Sequence, residues 1–133
     1  MTNEELIAKA ISIVNARMNG DKVVGDVGCA LLTDKGNVYT GVCIDTTSGM
    51  GFCAEHNAIG AMTTAGESKI KKIVAVWRDK EKDEIYVVAP CGRCREFIYR
   101  MNPSNIETEV ILAKDKSLSL KELLPFYDSY VKI

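Results

Sequence analysis

Three of the chain's five cysteines sit in two short segments that could hold a metal ion, Cys53-Ala54-Glu55-His56 and Pro90-Cys91-Gly92-Arg93-Cys94-Arg95. Cys91 and Cys94 are three residues apart, so on a helical turn they share one side and can grip a single ion. Taken alone, Cys-x-x-Cys also suits a redox pair. Cys53 as a third thiolate turns the reading toward zinc, because three protein ligands leave tetrahedral zinc an open position for water, as catalytic sites do and closed structural sites do not. Zinc brings the pKa of its water to near ~7, and the reaction then needs a side chain to take up the proton and hand it on. Glu55, two residues after Cys53, is the candidate. The plainer alternative is a solvated first-turn carboxylate stabilised by the helix dipole.

Both segments open predicted helices, and that placement has a physical reason. The first turn of a helix presents unpaired amides and a partial positive charge, which favour the thiolate that zinc requires. The stretch Cys53 to Ala65, rich in Ala, Met and Ile and free of Pro, reads as a buried helix stopped by Gly66. Pro90 opens a second helix through Met101, halted by Asn102-Pro103. Thr2-Asn3-Glu4-Glu5 has capping-box form, and Ile7, Ile11, Val14 and Met18 then recur at helical spacing as far as Asn19-Gly20. Val23–Thr33 and Val38–Asp45 are β-rich runs joined by Asp34-Lys35-Gly36-Asn37, a hairpin signature. Ile70–Trp77, Ile85–Ala89 and Glu109–Ala113 are further strands, and Leu118–Leu124 a short helix. The tail from Pro125 to Ile133 has no clear periodicity. Together these elements predict an α/β fold, one domain over residues 1–133, with helices layered around a mixed sheet.

Composition narrows the function classes. Hydrophobic residues are 47% and charged residues 26% of 133, the balance of a globule with a packed core. With a net charge of -1 and interspersed signs, no cationic field would gather a nucleic acid polymer. No apolar run suits a membrane span, and the polar start at Thr2 to Glu5 lacks export character, so a cytoplasmic protein is expected. An odd number of cysteines in that setting points to metal or reactive thiols rather than a disulfide framework. Trp77 reads as a strand-end packing residue, and Phe126, Tyr127 and Tyr130 as core or interface aromatics.

The two cysteine segments resemble the zinc signature of the cytidine deaminase superfamily, Cys/His-x-Glu followed by Pro-Cys-x-x-Cys. The resemblance runs from about Val27 to Met101, and includes Tyr39-Thr40-Gly41. It implies a three-layer α/β/α fold with a mixed five-stranded sheet, Zn2+ as cofactor on Cys53, Cys91 and Cys94, and Glu55 as proton shuttle. It further implies a small-molecule nucleoside substrate, hydrolytic deamination at C4 of a cytosine ring, and a homotetramer with active sites near subunit contacts. Substrate contacts are implied at Cys43, Asp45 and Ala54.

The chain also departs from the family pattern. His56 stands where many members carry an Arg that offsets the negative charge of three thiolates; it could be a fourth ligand or a packed residue, and Arg93 or Arg95 could supply the missing charge. Cys43-Ile44-Asp45 occupies the place of the Asn-x-Glu that grips ribose, and Gly25 the place of a pocket Phe. The blasticidin S deaminase branch is similar in length, in Pro-Cys-Gly-Arg-Cys-Arg and in a late Glu-Leu-Leu-Pro like Glu122-Leu123-Leu124-Pro125. It too lacks the Arg, but generally keeps Asn at the place of Cys43 and Gln at that of Glu96. Cytidine, deoxycytidine and blasticidin S are therefore all expected as candidate substrates. A structural zinc module mediating protein contacts, or a deaminase of another amine-bearing base, are the alternatives.

Overall fold

The computed structural model describes all 133 residues. Helix α1 (Asn3–Ser12) begins with the expected capping box, in which the Thr2 hydroxyl accepts from the Glu5 amide and the Glu5 carboxylate from the Thr2 amide. It stops earlier than the apolar spacing suggested. Residues Arg17–Asn19 form a short strand β1 that pairs antiparallel with the start of β2 (Lys22–Thr33), turning at Gly20 with φ 63°. Asn19-Gly20 is thus a hairpin turn rather than a helix stop, and Met18, counted above as a helix-face residue, is exposed on β1.

Strand β3 (Val38–Ile44) follows the expected turn, and β4 (Ile70–Asp79), β5 (Glu84–Val88), β6 (Glu109–Ala113) and β7 (Lys116–Ser119) complete a mixed sheet. Only β4 and β6 are parallel neighbours. Seven strands occupy five positions across the sheet. Gly28 of β2 pairs with Val42 on one side and Val76 on the other, and Val24 pairs with Ile44 and Arg17, so β1 continues the line of β4. Ile73 pairs with Leu31 and Val110, and Ala75 with Cys29 and Val88, so β5 and β6 share the far edge of β4. The expected five-stranded core is present, with β1 and β7 as short strands that the β-branched runs did not reveal.

Three layers result. On one face, Leu6, Ile7 and Ala10 of α1 pack on Ala30, Leu32, Val74, Val76 and Ile111. On the other, α2 (Ala54–Thr64) and α3 (Gly92–Met101) bury Ala54, Ala58, Ile59, Met62, Ile98 and Tyr99 against Cys29, Leu31, Ile73 and Val110. The short helix α4 (Leu120–Leu123), which follows β7 and packs beside a 3-10 turn at Pro103–Glu107, seats Leu120 in the same core. Asn105 fastens that corner, its amide group donating to Ser68 O and Ile98 O while its oxygen accepts from Ile70 N. The C-terminal tail, which had no periodicity, is held at one point. Tyr99 donates to Asp128 at 2.5 Å, Arg100 pairs with the same carboxylate at 2.9 Å, and the Tyr127 ring packs on Tyr99.

Gly41 sets how closely α2 lies on β3. A Cβ at this position would come within 2.4 Å of Ala58 N and 2.7 Å of Asn57, contacts that backbone cannot relieve by rotation. With hydrogen there, α2 seats directly on the strand, and the Asn57 amide donates to Val42 O at 2.6 Å. This contact fixes the height of the N-terminus of α2 above the sheet.

Candidate metal centre and pocket

Cys53 is the N-cap of α2 and Cys91 the N-cap of α3, and neither uses its side chain to cap the helix. Both sulfurs therefore stand at the starts of their helices, where first-turn amides have no carbonyl partner within the helix. Cys94, one turn into α3, completes the set. The three sulfurs lie within 4.8 Å of one another, with Cys53 and Cys91 at 4.0 Å. Tetrahedral zinc at about 2.3 Å from each sulfur would place them about 3.8 Å apart, so the cluster fits that ion with small adjustments. Glu55 and His56 stay outside the cluster, and no other His, Cys, Asp or Glu joins it. The donor set is three thiols.

The electrostatics of the three differ. Burial pushes the Cys94 thiol far above its ordinary range, and the nearby Glu55 carboxylate pushes it further. Burial also raises Cys53, reinforced by Cys91 and Glu55 and opposed by a hydrogen bond from Cys94. Cys91 is lowered despite burial, because the amides of Cys94 and Arg93 and the neighbouring thiols donate to its sulfur. Three thiolates and a carboxylate cannot share such a corner unless a cation stands among them, which is the condition a divalent metal satisfies.

Glu55 is 6% exposed, facing a floor of Ile73, Ala75, Val110 and Pro90. Burial raises its carboxyl pKa above the ordinary 4.5, its own backbone amide and Cys94 opposing the shift. It is thus a buried acid beside the sulfur cluster and not a solvated first-turn residue. His56 is also buried. Its ring stacks on Phe97 with centroids 4.2 Å apart and planes at 7°, and its Nδ1 lies 3.4 Å from Cys94 Sγ. Burial, and after it the charge of Arg93, lower its pKa. With a metal held by the cysteines, the tautomer with its proton on Nδ1 would donate to the Cys94 sulfur.

The two arginines are engaged elsewhere. Arg95 donates to Pro90 O at 2.9 Å and Leu123 O at 3.2 Å, which ties the Pro90 segment to the end of α4. The Arg93 guanidinium lies 5.9 Å from the Phe52 ring centroid. Neither guanidinium is hydrogen-bonded to a cysteine sulfur. Arg95 is thus directed to carbonyls and Arg93 to a ring, while α2 brings His56 Nδ1 to within 3.4 Å of Cys94 Sγ.

A pocket of about 430 Å³ opens beside Cys53, lined by Asp26 and Val27 of β2, Cys43 and Ile44 of β3, Asp45, Thr46, Gly49, Gly51 and Phe52. Two of the expected substrate residues, Cys43 and Asp45, are on its wall. Ala54 is fully buried, so what it can offer a ligand is its backbone amide, one of the unpaired N–H groups at the helix start. Sequence reasoning missed Asp26. Its carboxylate accepts from the Cys43 thiol at 3.0 Å and from the Trp77 indole N–H at 3.2 Å, across 17 and 51 residues of chain, a separation that no local spacing can signal.

Comparison with known proteins agrees with this geometry. The family described as "Cytidine and deoxycytidylate deaminase zinc-binding region" matches residues 1–110. The blasticidin-S deaminase of Bacillus cereus is 34% identical over 103 residues, covering 74% of each chain. The cytidine deaminase of Halalkalibacterium halodurans is 32% identical over 104 residues, also 74% of each chain. Among solved structures, the cytidine deaminase of Burkholderia pseudomallei superposes with a TM-score of 0.74 at 28% identity, covering 94% of this chain and 98% of that one. With the three-cysteine cluster at two helix N-termini and a buried Glu beside it, these matches establish that the chain belongs to the cytidine and deoxycytidylate deaminase family of zinc-dependent hydrolytic deaminases.

Proposed function

We propose that the chain deaminates a free cytosine nucleoside, or a nucleoside analogue bearing cytosine, giving the uracil form and ammonia. The observation that carries this reading is the convergence of Cys53, Cys91 and Cys94 beside a buried Glu55, with an adjoining pocket of nucleoside size. Zinc, when held by the three thiolates, would act as a Lewis acid that lets a water lose its proton near neutral pH. The chain's own residues do the rest. Glu55 accepts that proton and delivers it to N3 of the ring as the water oxygen bonds to C4. Glu55 then takes the proton of the new C4 hydroxyl and passes it to the amino group, and the C4–N bond breaks as the C4=O bond forms, releasing ammonia. Burial raises the pKa of this carboxyl, so it holds a proton more readily than an exposed glutamate does and can still release it, which suits both directions. The Ala54 amide serves as a donor to the ring, and Cys43 and Asp45 face the substituent on the base. The working unit is proposed to be a homotetramer.

The test is loss of cytosine absorbance when the zinc-loaded protein meets cytidine, deoxycytidine and blasticidin S in parallel, with Glu55→Gln as control. Glu55→Gln should keep its zinc and lose about 10²–10⁴-fold in turnover. If the zinc-loaded wild type consumes none of the three, the substrate proposal is overturned, and another amine-bearing base or a structural zinc role takes its place.

A further inference from the structure

Pro90 stands between the two halves of the site. It lines the floor beneath Glu55, together with Ile73, Ala75 and Val110, and the next residue, Cys91, is one of the three sulfur donors. Its carbonyl precedes the N-cap of α3 and so lies outside the ladder of that helix. Pro90 is buried, and a buried carbonyl needs a partner within the protein. Arg95 supplies it: Nε donates to Pro90 O at 2.9 Å, and Nη1 of the same guanidinium donates to Leu123 O at 3.2 Å. Leu123 closes α4, whose Leu120 is fully buried in the core. The second bond therefore runs to a seated anchor and takes up one of the carbonyls that a helix end leaves unpaired. Arg95 forms no ion pair, and both hydrogen bonds of its side chain go to main-chain oxygen.

The geometry points to Arg95 as a positioning residue of the metal centre: by bridging two main-chain carbonyls it fixes Pro90, and through Pro90 the placement of the Cys91 sulfur and the floor under the Glu55 carboxyl. Its action lies in the direction of two bonds and not in net charge beside the sulfurs. A guanidinium presents its donors in a rigid fork, whereas an ammonium of the same charge on a flexible stem does not reproduce that span. The pocket beside Cys53 is lined from β2, β3 and residues 45–53, with none from α3. Loosening Pro90 therefore disturbs the reacting centre more than the pocket that takes up the substrate.

The experiment compares the wild type with Arg95→Lys, which keeps the charge and loses the fork, and with Arg95→Ala. Zinc affinity is measured by competition with a chromophoric chelator, and urea denaturation of the zinc-free proteins reports on folding. Resting on the deaminase reading above, kcat and KM are measured with cytidine at saturating zinc. Both variants should bind zinc about tenfold more weakly while the zinc-free chains remain folded. Their kcat should fall by about tenfold and their KM stay within about twofold. Wild-type affinity in Arg95→Lys beside a loss in Arg95→Ala would show that charge alone suffices and would overturn the assignment, as would affinity unaltered in both. A loss of affinity confined to zinc-free chains that have unfolded would overturn it as well, leaving Arg95 a role in stability only. If the wild type does not consume cytidine, the deaminase reading fails on that substrate, while the zinc affinities still decide the role of Arg95.

Discussion

Cys94 is fully buried, and without a cation beside it this thiol is held far from ionisation by its surroundings. Outside the sulfur cluster, His56 Nδ1 lies 3.4 Å from its sulfur. A neutral imidazole is a weaker counterweight to thiolate charge than a guanidinium, but it is rigid here, clamped by its stack on Phe97. Losing this donor leaves a buried thiolate with one fewer hydrogen bond and lowers the affinity of the whole ligand set. We expect His56→Ala to weaken zinc binding by about 10–100-fold in competition with a chromophoric chelator. Unchanged affinity would mean that His56 only packs. The two arginines are a contrast at the same scale: Arg93→Ala should leave zinc affinity unaltered, since its guanidinium meets a ring and not a sulfur.

At the scale of elements, the site is two helix starts brought to one point. Cys53 and Glu55 ride on α2, and Cys91 and Cys94 on α3, so their spacing depends on how each helix seats on the sheet. For α2 the seat is Gly41. Gly41→Ala would press a methyl against the backbone of Asn57 and Ala58 and lift the helix from β3. The expected cost is about 1–3 kcal/mol of stability, read from urea denaturation. Because the lift moves Cys53 relative to α3, zinc affinity should fall along with it. The element boundaries also show where sequence patterns fail. Apolar spacing carried α1 past Ser12, yet pairing of Arg17–Asn19 with Lys22–Val24 took that segment into the sheet. Pairing with β2 was a tertiary opportunity that overrode a helical period.

At the scale of the molecule, the three-layer fold buries α1 on one side and the site helices on the other, and no helix is long and apolar enough to cross a membrane. Apolar groups nevertheless remain at the surface. Phe126, Tyr130, Val131 and Ile133 are more than 80% exposed, and Met50, Ile44 and Phe52 lie open near the pocket mouth. The proposed homotetramer would bury these groups between copies. Sedimentation velocity should give a species of four chains. Phe126→Ser with Tyr130→Ser should shift it toward smaller forms, whereas a monomeric wild type would refute the proposed assembly.

The sequence by itself determined the chemistry of the metal site. Cysteines three apart and a Cys-x-Glu are local patterns, and each lies within one helical turn, where spacing translates directly into geometry. It also determined the layered α/β class, because the main strands and helices have clear periods. What only the tertiary structure decided are the contacts between distant segments: which residue meets Cys94, where Arg95 goes, and that Asp26 is held by Cys43 and Trp77 on the pocket wall. The short strands β1 and β7 belong here too, since three or four residues carry no period of their own and become strands only through a partner. Local spacing fixes what a turn of helix can hold, and packing across the sheet decides which charges face it.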